Sequence, residues 1–414
     1  MAKIVEPGDV KIKRFEISNK NFGAVLSPLD QLLGADIWED MSKPTMYAEF
    51  TFQDNLNLLK NFPIIGEEDI SIEIQTPGIS SSSLFTFRTF EVANVVKDSN
   101  GKGLTYTVRC VSDEHLRAGS SLIKESQTNT VDKMVPVILS KYLDTKKSLA
   151  VDEAKGIQTI AFPKQNPLVA IDMLRQRAVS KEFASSSYVF FENQAGFNFK
   201  TIEGLIKDGK PTIGSRVFNT QQNSQGSKAA QANSFRTIKK FENIAKGDGN
   251  KKASMGIYKA VTKVFDINTK DLGSANFSLK EVFNKLEKPG AGKVQIPNTD
   301  QFIKDYGEGV PRQFFSLKDT LRPDNFMDTA IAVRNSFSVL LNSDITRILI
   351  HGDSGLKVGD LITLDFSDPT GTTDKKTNDT MLSANYLIIR LRHMITPSTK
   401  NKHEISCDCV KMGI

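Results

Sequence analysis

The chain is 414 residues long with 39% hydrophobic and 25% charged residues, too long for one ordinary domain and well supplied for several buried cores. A net charge of +6, from 54 basic against 48 acidic residues, is mild for this length, and pairs such as Lys146-Lys147 and Lys239-Lys240 do not build the clustered basic face of a dedicated nucleic-acid binder. No apolar run approaches the length of a membrane span, and the start, Met1 to Asp9, has no apolar core of a secretory signal.

Residues 1–112 read as β. Val10 to Ser18 and Tyr47 to Gln53 supply strands, and Ile70, Ile72 and Ile74 alternate with Ser71, Glu73 and Gln75. Leu84 to Val96 is a long strand whose apolar face switches between Phe87 and Phe90, the mark of a bulge. The turn Asp98-Ser99-Asn100-Gly101 leads into Leu104, Tyr106, Val108 and Cys110, again in alternation. A compact antiparallel barrel or sandwich is expected.

From residue 113 the period becomes helical. Val135, Ile138, Leu139 and Tyr142 form one stripe within Asp132 to Leu143. Asn166 followed by Pro167 predicts a capped helix through Leu168, Ile171, Leu174 and Ala178. Tyr188 to Phe191 and Gly196 to Phe199 predict a short hairpin, and Ser278 with Glu281 reads as a capping box opening a helix through Leu286. Asn219 to Asn233 has little to bury and reads as an exposed loop, and Lys288 to Val310 as a second irregular excursion. Asp324 caps a helix carrying Phe326, Ala330, Val333, Phe337 and Leu340. Strands return at Ile345 to His351, Leu361 to Phe366, Tyr386 to Ile395 and His403 to Val410, with Pro369 to Thr380 as an exposed hairpin tip.

Ile70 to Pro77 aligns with Ile362 to Pro369, and in each copy a long strand and a last strand follow, ending in Cys110-Val111 and Cys409-Val410. That order predicts two copies of one β unit, residues 69–112 and 361–411. The expected fold class is α+β, with two similar antiparallel β-barrels flanking a middle α/β domain. The first barrel covers 1–112, the middle α+β domain 113–215 with 243–342, and the second barrel 216–242 with 343–414.

Chemistry is thinly supplied by four histidines and three cysteines. Gly352-Asp353-Ser354-Gly355 with His351 beside it matches the nucleophile tetrapeptide of chymotrypsin-like proteases, but such a serine needs a base and an aspartate from far upstream, and His115 lacks that context. The same residues suit a turn between two strands. His403, Cys407 and Cys409 fall on one strand face with Ile405, which marks that face as core, and no second Cys/His pair completes a zinc site. The groupings Asp365/Asp368 and Glu67/Glu68/Asp69 lack the spacing of a calcium loop. No phosphate-binding glycine loop is present. No catalytic, cofactor-binding or metal-binding residue is assigned, no cofactor is expected, and the chain is not expected to be an enzyme.

Three segments carry a family resemblance: Pro63-Ile64-Ile65-Gly66-Glu67-Glu68 ahead of the Ile70 strand; Phe190-Phe191-Glu192-Asn193 with Gly196 to Leu205; and the run from Phe326 through Leu356-Lys357-Val358-Gly359-Asp360 to Tyr386-Leu387-Ile388. In these the chain resembles the central hub protein of contractile-tailed bacteriophage baseplates, related to the hub part of contractile secretion system spikes. The resemblance implies a homotrimer whose two barrels per chain make a ring of six. That ring would meet the tail tube ring protein above and a trimeric spike or spike–lysozyme protein below, with baseplate wedge proteins around it. It implies a virion location after assembly in the host cytoplasm, with no specific nucleic-acid binding and no membrane insertion. The chain stops soon after its last strand, so a further C-terminal spike-gripping segment is not expected. Another tail or contractile-injection component, such as a tube terminus or spike-like protein, is the alternative, and a hydrolase using the Gly352 to Gly355 turn is the reading from a different class.

Overall fold

The computed structural model describes residues 6–19, 23–62, 64, 66–79, 82–97, 103–183, 185–209, 216–220, 235–245, 259–278, 311–318, 327–342, 345–366, 379 and 382–411. Antiparallel β structure dominates it, and the largest element is a sheet of 13 strands. Across the N-terminal part of that sheet the order is Leu32–Asp40, Tyr47–Asp54, Leu104–Val111, Ser83–Lys97, Asp69–Gln75, Lys11–Asn19 and Ala24–Leu26. Ile70, Ile72 and Ile74 lie at 0% exposure beneath Phe85, Phe87, Tyr106 and Val108, so the alternation read from the sequence does build a buried face.

The C-terminal part runs Ile238–Ala245, Ile345–His351, Lys402–Val410, Ala384–Thr396 and Leu361–Asp365, with Val217–Asn219 parallel to the last. It surrounds its own core of Ile348, Ile350, Leu361, Leu364, Leu387 and Cys407. The two central strands share an irregularity. Ser83–Lys97 breaks register against Leu104–Val111 between Thr89 and Glu91, and Ala384–Thr396 breaks register against Lys402–Val410 between Ile388 and Arg390. Thr89 stands opposite Cys110 as Ile388 stands opposite Cys409, so both bulges fall one residue past the cysteine pairing.

The two parts are not separate sheets, against the expectation of independent barrels. Ala384–Thr396 is 13 residues long while its partner Leu361–Asp365 has five, so the rest of that edge stays open. Leu32–Asp40 fills it, pairing Ala35 through Asp40 with Ile395 through Arg390. An uncovered strand edge carries unsatisfied peptide groups, and here one part of the chain supplies the strand the other lacks.

Between them, residues 113–209 form a smaller unit with its own core of Ile123, Val135, Ile138, Ile171, Leu174 and Phe199. Its helices are Asp113–Ser120, Val131–Leu143, Pro167–Arg177 and Ile202–Gly209. The expected stripe is buried at Val135, Ile138 and Leu139 while Tyr142 is half-buried, and Asn166 caps its helix by accepting from Leu168 N at 2.9 Å. The hairpin Tyr188–Asn193/Gly196–Thr201 forms as expected and gains Leu149–Val151 as a parallel third strand. Ser278 ends the strand Leu272–Ser278 and pairs with Lys259, and the helix expected after it, through Leu286, lies outside the described residues. That strand, Lys259–Asp266 and Arg312–Lys318 form a three-stranded sheet the sequence did not predict, packed against the expected helix, Met327–Leu341. Of the expected loop 219–233, Asn219 instead ends the strand Val217–Asn219, and 221–233 lie outside the described residues, as do the excursion 288–310, the turn at 98–101, the cap Asp324 and most of 369–380. The strand Ile238–Ala245 crosses the 242/243 boundary drawn from the sequence.

Candidate functional site: the seam between the two strand sets

The Gly352 to Gly355 turn, the one motif with a catalytic look, sits where the N-terminal and C-terminal strand sets meet. Ser354 is fully buried, and its Oγ accepts from Thr76 N at 3.1 Å. In return Ser354 N donates to Thr76 Oγ1 at 2.8 Å, and Ser83 Oγ donates to Ser354 O at 2.5 Å. Thr76 follows the Asp69–Gln75 strand and Ser83 opens the next, so both belong to the first set. His351, at the end of its strand, makes no hydrogen bond to Ser354, and its Nδ1 has no partner among the described residues. The serine is a clasp between two parts of the chain and is not presented to a substrate.

His403 lies at the same seam. Its backbone N donates to Gly8 O at 2.8 Å, and Gly352 N donates to His403 O at 2.8 Å. A Cβ on Gly352 would come within 2.2 Å of the His403 ring, so only glycine lets the turn pass. The ring Nε2 meets His393 Nδ1 at 3.0 Å, and Phe85 from the first set packs on His393 at 5.4 Å between ring centres. Both histidines are fully buried, and burial lowers their pKa values, that of His403 from 6.5 to about 3. Ile405, Cys407 and Cys409 continue the same buried row, so the face read as core is core. Burial pushes the Cys407 thiol well above its ordinary pKa. The described residues contain no group of three or more His, Cys, Asp or Glu side chains arranged to hold a metal ion.

The acidic groupings also disperse. Glu68 turns inward and accepts from Gly66 N at 3.0 Å, Asp69 pairs with Arg88 at 3.0 Å, and Asp368 lies outside the described residues. His115 lies in the first turn of the helix Asp113–Ser120, its Nδ1 3.4 Å from Thr45 Oγ1.

Two carboxylates that the sequence reading passed over are the strongest joints. Glu39, 1% exposed, accepts from Gln194 N and from Val358 N, each at 2.8 Å. It thereby ties the Leu32–Asp40 strand to the tip of the middle hairpin and to the loop before Leu361. Burial raises its pKa to about 8 against the two N–H donors that pull it down. Glu192 accepts from Met46 N at 3.0 Å and Ser112 Oγ at 2.5 Å, and Lys147 bridges it to Glu114 at 2.6 Å on each side. The available signal was Glu39 in the same alternating row as Ala35 and Ile37, which are both buried. A charge in an otherwise apolar row is a buried group that needs partners.

The seam is thus made of hydrogen bonds between buried side-chain and backbone groups of the two strand sets. A prophage MuSo2 43 kDa tail protein from Shewanella oneidensis superposes with a TM-score of 0.58 at 10% identity, over 96% of this chain and 98% of that one. The chain has the fold of a tail protein. A tail protein from Neisseria meningitidis MC58 gives a TM-score of 0.56 at 9% identity, over 97% of both chains. Both are tail proteins, the broad class in which the sequence resemblance lies. No family model and no curated protein sequence matches the chain.

Proposed function

We propose that this protein is the central hub of a contractile-tail baseplate, three copies of which close a ring between a six-fold tail tube and a three-fold spike. In this reading residues 1–112 and residues 216–242 with 343–414 are two copies of one barrel-like unit, and 113–215 with 243–342 form the part between them. The tube ring meets the face made by the repeated units, the spike and wedge proteins meet the rest, and the virion tail is its location.

The observation that carries the reading is an asymmetry in sheet pairing. Matching the two strand sets through Cys110 and Cys409 makes Leu32–Asp40 the counterpart of Ile238–Ala245, since each is the strand beyond the one that faces the cysteine strand. Inside the chain, Leu32–Asp40 pairs with the post-bulge half of Ala384–Thr396. The counterpart pair would be Ile238–Ala245 against the post-bulge half of Ser83–Lys97. Among the described residues both of those edges are unpaired, with Phe90, Val95, Val96, Phe241 and Ile244 all at least 45% exposed. Open edges of this kind bind another chain. A second copy of this protein offers the complementary edge, and head-to-tail repetition of that contact generates a ring if the rotation closes. Three chains with two units each place six similar surfaces at about 60° intervals.

The test follows from the pairing. Met394 pairs with Asp36 inside the chain, and their counterparts are Val96 and Glu242. The double variant Val96→Cys/Glu242→Cys is expected to yield covalent trimers on oxidation, and native mass spectrometry of the wild type a three-chain mass. A six-chain ring would favour a tube-terminus protein, and a disulfide formed within one chain would remove the proposal.

A further inference from the structure

A cleft of about 500 Å³ opens where three parts of the chain meet: the Pro167–Arg177 helix, the Met327–Leu341 helix, and the strands ending at Asp40 and passing through Arg390. That volume falls in the range of sites that enclose several side chains or a small molecule. Leu168, Phe190, Phe337 and Leu341 give it an apolar floor, and Val169 stands at 47% exposure on its rim.

Three guanidinium groups reach its wall, those of Arg175, Arg334 and Arg390. Arg175 is paired with Asp172 at 2.6 Å, and Arg390 lies 3.5 Å from Asp40 and from Asp408. Arg334 has no carboxylate within salt-bridge distance among the described residues. Its partner is the neutral carbonyl of Gln176, at 2.5 Å from Nη1. Burial, and after it the neighbouring Arg175 charge, lower its pKa from the ordinary value, although a guanidinium stays protonated at neutral pH. A half-buried cation with one neutral acceptor leaves several N–H donors for a planar anion, and carboxylate matches that fork.

We infer that this cleft is a docking site for a polypeptide segment that presents a carboxylate beside an aliphatic side chain, with Arg334 taking the carboxylate and the Leu168–Phe337 floor taking the aliphatic group. Charge complementarity selects the occupant. The cleft's two acidic side chains are already engaged by Arg175 and Arg390, so a neutral or cationic segment would leave Arg334 as it stands, while an acidic one completes it. The site lies apart from the two open strand edges and does not rest on the ring proposal.

The probes are the capped peptides acetyl-Leu-Glu-Leu-amide and acetyl-Leu-Gln-Leu-amide, titrated against the full-length protein by ligand-observed NMR. The glutamate peptide is expected to bind saturably and about tenfold more tightly than the glutamine peptide, the ratio set by one charge-assisted contact. Arg334→Gln should erase that preference and Arg334→Lys keep part of it. Should Arg334→Gln misfold, Val169→Trp, at an exposed position on the rim, should block binding with the arginine intact. Equal binding of the two peptides, an unchanged ratio in Arg334→Gln, or no saturable binding up to about 10 mM would overturn the inference.

Discussion

At the scale of single residues, the seam turns on groups whose chemistry is silent because their hydrogen bonds are spent on the fold. Ser354→Ala would leave Thr76 N as a buried donor without its acceptor, at a cost of about 1–3 kcal/mol. The expected outcome is a lower urea midpoint and no change in reactivity towards a fluorophosphonate, since no base among the described residues reaches the hydroxyl. Labelling that depended on Ser354 would reverse that assignment. The histidine pair gives a pH dependence of definite sign. His393 and His403 are held neutral in the fold, and among the described residues His393 Nε2 and His403 Nδ1 have no hydrogen-bond partner to stabilise an added charge. Below about 6.5 the unfolded chain binds protons that the folded chain refuses, so stability falls with falling pH by up to about 1.4 kcal/mol per pH unit for each histidine, and for His403 the fall continues towards about 3. His351 adds in the same direction, its pKa lowered by burial and by the Lys239 and Lys402 charges against the opposing pull of Glu404. The slope of unfolding free energy between pH 6.5 and 5 should shrink by about one proton in His393→Gln. An unchanged slope would place the titration elsewhere.

At the scale of elements, legibility followed periodicity. Strands with strict alternation were plain, Asp69–Gln75 because it buries one face only and Lys402–Val410 because it does so as far as Ser406, and the bulge near Phe90 was readable because a face switch has no other cheap explanation. Leu32–Asp40 was missed. Its inward row is Ala35, Ile37 and Glu39, and a small residue and a carboxylate do not register as apolar alternation until their partners are known. The same limit hid Lys259–Asp266, whose buried row is Ala260, Thr262, Val264 and Asp266. Seam residues such as Thr76 and Val358 were not readable at all, since what they touch is several hundred residues away in two cases. The local signals were stronger than the distant ones. Asn166→Ala, which deletes a cap visible in sequence, should cost about 1 kcal/mol and lower the melting temperature. It also loses the contact of Asn166 Nδ2 with Ala118 O at 2.7 Å, so a loss well under that figure would mean the helix is held by packing alone.

At the scale of the whole molecule, the in-chain contact between Leu32–Asp40 and Ala384–Thr396 is the template for what a second copy would do. It buries Ile37 at 0% and Ile395 at 1% exposure, and it brings Arg392 to Asp36 at 2.9 Å and over the Trp38 ring at 5.1 Å. The counterpart edges carry Phe90 at 57%, Val96 at 61% and Phe241 at 45% exposure, which is the difference a missing neighbour would make. Substituting an edge residue should therefore separate folding from assembly. Val96→Pro removes one ladder donor and disfavours sheet extension, while its side chain has little packing to lose. The expected result is a folded monomer with a near-native melting profile that fails to form three-chain assemblies at concentrations where the wild type does. Phe241→Asp on the opposite edge should give the same monomer, and mixing the two variants should give at most dimers, because each retains one intact edge. Trimers from that mixture would mean the ring closes through other surfaces, and unfolding of either variant would mean that the open edge already supports the single chain.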